Sequence, residues 1–414
     1  MRLAHTYSCR FCGSPLRHSF VDLGLSPLCE SYVSAEQLPQ PETLYPLHCF
    51  VCDRCFLVQL PEHVAPEAIF EEYAYFSSYS DSWLEHARTY VSQISERLSL
   101  STKSLVVELA SNDGYLLQYF RDREISVLGI EPARNVAQVA IEKGITTVTE
   151  FFGVPLATRL AAEGRQADLL LGNNVLAHVP NINDFVAGMK ILLKPEGVIT
   201  MEFPHLIKLI EENQFDTIYH EHYSYLSFTT VIEIFRRHGL ALFDVEELAT
   251  HGGSLRVYAC HAGSNSREIS LKALALAERE AAWGITNIER YLAFGKKVEA
   301  TKRDILGFLI SARNEGKVVA GYGAPGKGNT LLNYCGIRSD FLDYTVDRNT
   351  YKQGKFTPGC RIPICPPEKI RETRPDYLFI LPWNLKDEVM RQNAFIREWG
   401  GRFVIPIPKI QVYE

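Results

Sequence analysis

Between about residue 81 and residue 264, strand-length apolar runs alternate with helix-length amphipathic runs, and this narrows the fold more than any other feature of the chain. The helix "DSWLEHARTYVSQISERL" is followed by the strand "SLVVELA", and then "GYLLQYFRD", "SVLGIEP", "NVAQVAIEKG", "DLLLGNN", "INDFVAGMKILL" and "GVITMEF" repeat the pair. Parallel neighbours need a crossover of a dozen or more residues, usually a helix, so the alternation predicts a doubly wound, mostly parallel α/β sheet. Such sheets bind ligands outside the carboxyl ends of their strands. At 414 residues and 46% hydrophobic, the chain exceeds what one sheet requires and is expected to form two or three domains.

The flanking regions differ in composition. Residues 1–80 carry six of the ten cysteines and little helical periodicity, as in a small module held by something other than its core. Residues 265–414 begin with long helical patterning that reads as an arm. They then return to strand–helix units at "KVVAGYGAPGKGNTLLNYCG", "FLDYTVD", "PDYLFILPWN" and "RFVIPIP", which predicts a second, smaller Rossmann-like domain. Cys9-x-x-Cys12 and Cys49-x-x-Cys52-x-x-Cys55 present thiolates on tight turns, and two such turns supply a tetrahedral S₄ set for zinc. A redox pair explains one turn but not both. The expected ligands are Cys9, Cys12, Cys52 and Cys55, with Cys49 open as a replacement for either of the last two. Four thiolates leave no position for water, so the zinc is expected to be structural.

Net charge −6 and a pI near 6.1, with Lys and Arg scattered among Asp and Glu, give no basic face to neutralise nucleic acid. No run approaches the ~20 apolar residues of a membrane span, and "MRLAHTYSCRFCG" lacks the apolar core of a signal peptide. A cytoplasmic, monomeric protein that acts on a small molecule is expected.

Two strand–loop–helix units could each take an adenine cofactor. In "SLVVELASNDGYLLQYF", Glu108 ends a strand and the small residues from Ala110 through Asn112 to Gly114 precede a helix. Glu131 and Pro132 end the next strand, where the carboxylate is placed to accept both ribose hydroxyls. This is the arrangement of class I S-adenosylmethionine (SAM) methyltransferases, with alanine at position 110 where glycine is common. Phe151 and Phe152 of "TEFFG" are placed for the adenine, and Asn173 lies in the loop after the fourth strand. The second unit, "VVAGYGAPGKGNTLLNY", spells G-x-G-x-x-G at Gly321, Gly323 and Gly326, with Asp347 closing the next strand, and so raises an NAD-dependent oxidoreductase as the alternative. Pro325 and Lys327 in that loop suit a general anion cradle equally well.

The stretch "TIYHEHYSYLSF" crowds Tyr219, His220, Glu221, His222, Tyr223 and Tyr225 together. His220 and His222, two apart, lack the i,i+4 pairing of helical zinc sites. The stretch follows a strand–helix segment, which puts it over the carboxyl edge of the sheet, and proton chemistry becomes the leading reading.

In the same order along essentially the whole chain, the cysteine module, "YAYFSSYSDSW", "ELASNDG", "GIEPA", "NNVLAHVP", "FDTIYHEHYSYLS", "HGGSLRVY" and "GYGAPGKGNTLLNYCGI" resemble the sugar C-methyltransferases of deoxysugar biosynthesis, the tetronitrose C-methyltransferase type. The resemblance implies SAM-dependent methylation at C3 of a TDP-linked 4-ketohexose. It implies His222 as base with Glu221 as its partner, and Tyr219, Tyr73, Asn174 and His178 around the sugar. Tyr75 is expected on the sugar side, and Tyr322, Gly323, Ala324, Lys327 and Asn329 of the glycine loop are expected to hold the nucleotide-sugar pyrophosphate.

Overall fold

A computed structural model describes residues 7–70, 76–263 and 267–414. Tyr73 and Tyr75 lie outside the described residues. The chain gathers into two compact units built from non-consecutive stretches: Met1–Arg17, Cys52–Leu206 and Glu221–Asn287 in the first, and His18–Val51, Ile207–His220 and Ile288–Glu414 in the second. Among the described residues, no helix is long and apolar enough to cross a membrane.

The first unit holds a seven-stranded sheet. Its strands are β1 (Leu105–Leu109), β2 (Ser126–Ile130), β3 (Thr147–Val148), β4 (Ala167–Asn173), β5 (Leu193–Pro204), β6 (Leu240–Leu248) and β7 (Ser254–His261). They lie in the order β6-β7-β5-β4-β1-β2-β3. Strands β1 to β5 pair parallel, whereas β7 runs antiparallel to both β5 and β6. The order reverses between β1 and β4, and that switch point opens a crevice at the carboxyl ends of the strands. Helix α1 (Asp81–Arg97) starts at Ser80, whose Oγ accepts from the Trp83 N–H at 3.3 Å. Its buried residues Trp83, Ala87, Tyr90, Val91 and Ile94 recur at helical spacing and pack with Val106, Leu169, Leu171 and Val198 of the sheet. Each large side chain buried there is worth about 1.5–3 kcal/mol.

Helix α2 (Phe228–Arg237) and helix α3 (Leu271–Trp283) close this unit. Glu280 of α3 is fully buried, and its carboxylate accepts from the Phe228 and Thr229 N–H groups at 2.9 and 2.7 Å. A remote acid thus caps the positive end of α2, and His205 Nε2 binds the same carboxylate at 2.7 Å. The segment that reads in sequence as an arm is therefore in part a capping element of this unit.

In the second unit six strands run in the order β10-β9-β8-β11-β12-β13, comprising β8 (Val319–Tyr322), β9 (Thr345–Val346), β10 (Ile364–Cys365), β11 (Tyr377–Ile380), β12 (Arg402–Ile405) and β13 (Gln411–Tyr413). Helix α4 (Phe294–Asn314) buries Phe294, Val298, Ile305 and Leu309 along one stripe. The hairpin of His18–Ser26 and Tyr45–Val51 joins this unit because Phe20 stacks on Phe294 with ring centres 4.6 Å apart. Helix α5 (Gly326–Cys335) follows β8 and ends on Gly336 in the left-handed conformation.

Candidate active site

A cavity of about 330 Å³ fills the crevice of the first unit. Of the residues singled out in the sequence, Ala110, Asn112, Glu131, Pro132, Phe151, Phe152, Asn173, Asn174 and His178 line it. Trp83, Ser77, Tyr115 and Asp184 also line it and carried no sequence signal of their own. The loop after β1 alternates into left-handed backbone, with φ of 55° at Ala110, 48° at Asn112 and 73° at Gly114. The Asn112 and Ala133 N–H groups each donate to one oxygen of Glu131 at 2.9 Å, and each oxygen keeps a lone pair for a further donor. Gly114 works behind the cavity: a Cβ there would lie 3.0 Å from Ile145 Cγ1. Ala110 holds left-handed backbone without the freedom of glycine, at a cost of about 1–2 kcal/mol. Ala110→Gly is therefore expected to raise stability by up to about 1 kcal/mol, once the greater entropy of an unfolded glycine is subtracted. Thermal unfolding checks this, and an unchanged or lower midpoint contradicts it.

Glu108 is completely buried near the end of β1, with the Tyr115 side chain as its hydrogen-bonding neighbour. Burial first, then the charges of Glu131 and Asp113, push its carboxyl well above the usual carboxylate range. Burial likewise pushes Glu131 up to about 7, against the pull of the Ala133 and Asn112 amides. Two crowded, desolvated carboxyls favour a ligand that brings positive charge and hydroxyl donors. SAM carries both, and the apolar wall of Phe152 and Phe185, edge to face with centres 5.2 Å apart, suits its purine.

In the cavity wall, burial pushes His178 down to about 4, so its ring is neutral. That ring meets His222 edge-on, with centres 4.6 Å apart, and His222 in turn faces Tyr225 at 6.2 Å. The Tyr223 N–H donates to the Ala177 carbonyl at 2.8 Å and so fastens the His222 stretch to the loop after β4. Glu221 is buried in the same unit, whereas Tyr219 and His220 belong to the second unit. His220 is engaged there, with Nε2 3.2 Å from the Pro46 carbonyl and its ring against Tyr45.

Glu202 anchors the far side. It sits in register between Asn173 and Arg256, and it accepts from Arg256 Nη2 at 2.6 Å and Thr250 Oγ1 at 2.9 Å, with His86 Nε2 also at 2.9 Å. Burial works to raise its pKa, but these partners hold it at about 2, against an ordinary 4.5. A depressed folded pKa means that the stabilisation, on the order of 3 kcal/mol, is complete above pH ~4.5 and is lost as pH falls toward ~2. Glu202→Gln is expected to cost about 3 kcal/mol at pH 7, because it leaves the buried Arg256 with only the partly exposed Glu246, 3.1 Å from Nη1, as a charge partner. Denaturant titrations of both proteins should show the gap closing below pH 4.5, and a pH-independent gap contradicts the assignment.

The thiolate sulfurs of Cys9, Cys12, Cys52 and Cys55 lie within 4.8 Å of one another. The separations of 3.5 Å for Cys9–Cys55 and Cys12–Cys52 bracket with that limit the spacing of about 3.8 Å set by four Zn–S bonds of 2.3 Å. Gln59 Nε2 donates to Cys9 Sγ at 3.1 Å. Cys49 lies in the hairpin of the second unit and is the spare thiol.

In the second unit several polar groups of the glycine loop are taken by its own neighbours. The Ala324 N–H donates to Asp347 Oδ2 at 2.7 Å, and the Ala324 carbonyl accepts from Tyr32 Oη at 2.6 Å and Lys352 Nζ at 3.0 Å. Asn329 Nδ2 donates to the Cys29 carbonyl at 2.6 Å, and Lys327 Nζ donates to Asn384 Oδ1 at 2.8 Å while lying over Trp383. Tyr322 is buried in β8, and Gly323 (φ 83°) lets the backbone pass Pro382 where a Cβ would come within 2.6 Å. Asp347, the acid that a dinucleotide fingerprint would turn to a ribose, here binds the loop itself.

C-methyltransferase NovU of Streptomyces niveus is 37% identical over 404 residues, which cover 98% of this chain and 96% of that protein. The chain belongs to the C-methyltransferases. Domain families match the C-methyltransferase in three consecutive parts: "Putative zinc binding domain" at residues 9–70, "Methyltransferase domain" at 83–245 and "C-methyltransferase C-terminal domain" at 249–408. Among solved structures, a SAM-dependent methyltransferase from Clostridium acetobutylicum overlaps 44% of this chain and 92% of its own, with TM-score 0.36 and 10% identity. Magnesium protoporphyrin IX methyltransferase of Synechocystis overlaps 43% and 83%, with TM-score 0.35 and 14% identity. The C-methyltransferase uses SAM, with zinc as its structural metal.

Proposed function

We propose that this C-methyltransferase adds a methyl group to C3 of a TDP-linked 4-keto-6-deoxyhexose by way of an enolate, with His222 as the base. The observation that carries the reading is the contact of the His222 ring with His178, a cavity-lining residue, at 4.6 Å between ring centres. A carbon beside a ketone is acidic enough for an imidazole to deprotonate, and imidazole is the side chain whose ordinary pKa suits that work near neutral pH. SAM, when bound, supplies an electrophilic methyl group. His222 takes the C3 proton, and the electron pair of the broken C–H bond is delocalised onto O4. His178, kept neutral by burial, offers an N–H to that oxygen, which low-dielectric surroundings make more effective. Glu221 orients His222 or accepts a sugar hydroxyl, and Tyr219 and Tyr73 are assigned to the sugar by the family resemblance alone. In the glycine loop the Ala324 amide and the Asn329 side chain already have partners, so any hold on the nucleotide-sugar pyrophosphate falls to the other groups of that loop.

The enzyme works in this reading as a cytoplasmic monomer on a small molecule, in keeping with its net charge of −6. Incubation with methyl-labelled SAM and a panel of TDP-4-keto-6-deoxyhexoses, with the new methyl located by NMR, tests the proposal. A methyl on C3 is expected. A methyl on oxygen, on nitrogen or on another carbon overturns it.

A further inference from the structure

The turn "HGGS" between β6 and β7 has no part in the chemistry above, yet it is built at a cost. His251 (φ 55°), Gly252 (φ 88°) and Gly253 (φ 113°) are three successive residues of positive φ, and only two are glycine. Asn174, facing His251, is also left-handed at φ 55°. Strain of this kind persists only where its surroundings enforce it, and a single residue enforces both sides. The Glu202 side chain accepts from Thr250 Oγ1 at 2.9 Å, and its backbone carbonyl accepts from the Asn174 N–H at 2.8 Å. The outcome is a contact of 2.9 Å between His251 Nε2 and Asn174 Nδ2, with the imidazole held edge-on by Trp83, ring centres 5.1 Å apart.

An amide nitrogen can only donate, so His251 Nε2 is the acceptor and the ring carries its hydrogen on Nδ1. The atom of Asn174 that remains is Oδ1, shut away from solvent, with no hydrogen-bond partner among the described residues and on a side chain that lines the cavity. We infer that His251 is a positioning residue that fixes the Asn174 carboxamide oxygen-first, so that Asn174 receives an N–H or O–H of a bound molecule instead of donating to the sugar oxyanion. This rests on the cavity being the methyl-transfer site. The donor is either the α-ammonium of SAM or a sugar hydroxyl, and Asn174→Leu separates them: the SAM dissociation constant rises in the first case, the KM for the sugar in the second.

The test uses the full-length protein. In ¹⁵N-correlated NMR, with the His251 signals identified by their loss in His251→Gly, Nε2 is expected without a hydrogen and Nδ1 with one; a hydrogen on Nε2 overturns the inference whether or not the enzyme turns over. Glycine at 251 keeps the backbone free of strain, so His251→Gly should keep its melting temperature while kcat falls about tenfold. His251→Gln, which places an amide about where Nε2 lies, should recover part of that loss. Asn174→Asp keeps an acceptor toward the cavity while His251, in its other tautomer, donates from Nε2 to the second oxygen, so this variant should stay within about tenfold of the parent. A His251→Gly variant within twofold of the parent kcat, or an Asn174→Asp loss of about a thousandfold with SAM binding intact, overturns the inference, the latter by marking Asn174 as an oxyanion donor. Absence of C3 methylation by the parent enzyme, beside the expected NMR result, strikes the functional reading and leaves the orientation standing.

Discussion

His222→Asn is expected to lower methyl transfer by about a thousandfold while leaving the melting temperature and SAM affinity in place. The size follows from what the variant lacks. Asparagine has no group that accepts a proton near neutral pH, and the neighbouring His178, held at about 4, is a poor substitute base. The binding terms are spared because His222 does not itself line the cavity, whose wall at that point is His178. Initial rates with labelled SAM, together with calorimetric SAM binding, check both halves. Retention of more than about a tenth of parental activity contradicts the base assignment.

Loss of zinc is expected to have the larger effect on stability. Structural zinc sites contribute about 10–16 kcal/mol of apparent binding energy, which becomes folding energy where the ligands are unorganised without the metal. Cys12→Ser should abolish stoichiometric zinc and unfold the N-terminal module. The consequence reaches the cavity through Arg10, which donates to the Pro180 carbonyl at 2.6 Å, and through Asn183 Nδ2, which donates to the Arg10 and Phe11 carbonyls at 3.0 Å. Pro180 lines the cavity, so SAM affinity should fall with the metal. Metal analysis, thermal unfolding and SAM titration of Cys12→Ser check this; an unchanged melting curve, or no zinc in the parent protein, contradicts it.

What could be read ahead of the structure was what local pattern dictates. The strand–helix alternation announced the parallel part of the first sheet, and the acids at the ends of β1 and β2 lie where two apolar runs stop at a small-residue loop. The cysteine turns stood out by spacing, but the choice against Cys49 depended on a hairpin whose Phe20 finds Phe294 about two-thirds of the chain away, a contact with no local signature. The same holds for α3, whose Glu280 caps a helix some fifty residues earlier. Trp83 and His251 were invisible as site residues because a tryptophan on an amphipathic helix looks like core, and a histidine beside two glycines looks like a turn. In the sequence only the family resemblance separates His220 from His222; in the structure His220 meets Pro46 and Tyr45, whereas His222 meets His178.

Proton removal can be watched apart from methyl transfer. With the TDP-4-keto-6-deoxyhexose substrate in D₂O and S-adenosylhomocysteine in place of SAM, the parent enzyme is expected to exchange the C3 hydrogen for deuterium, and His222→Asn is expected not to. Equal exchange by the two proteins would contradict the assignment of His222 as the base.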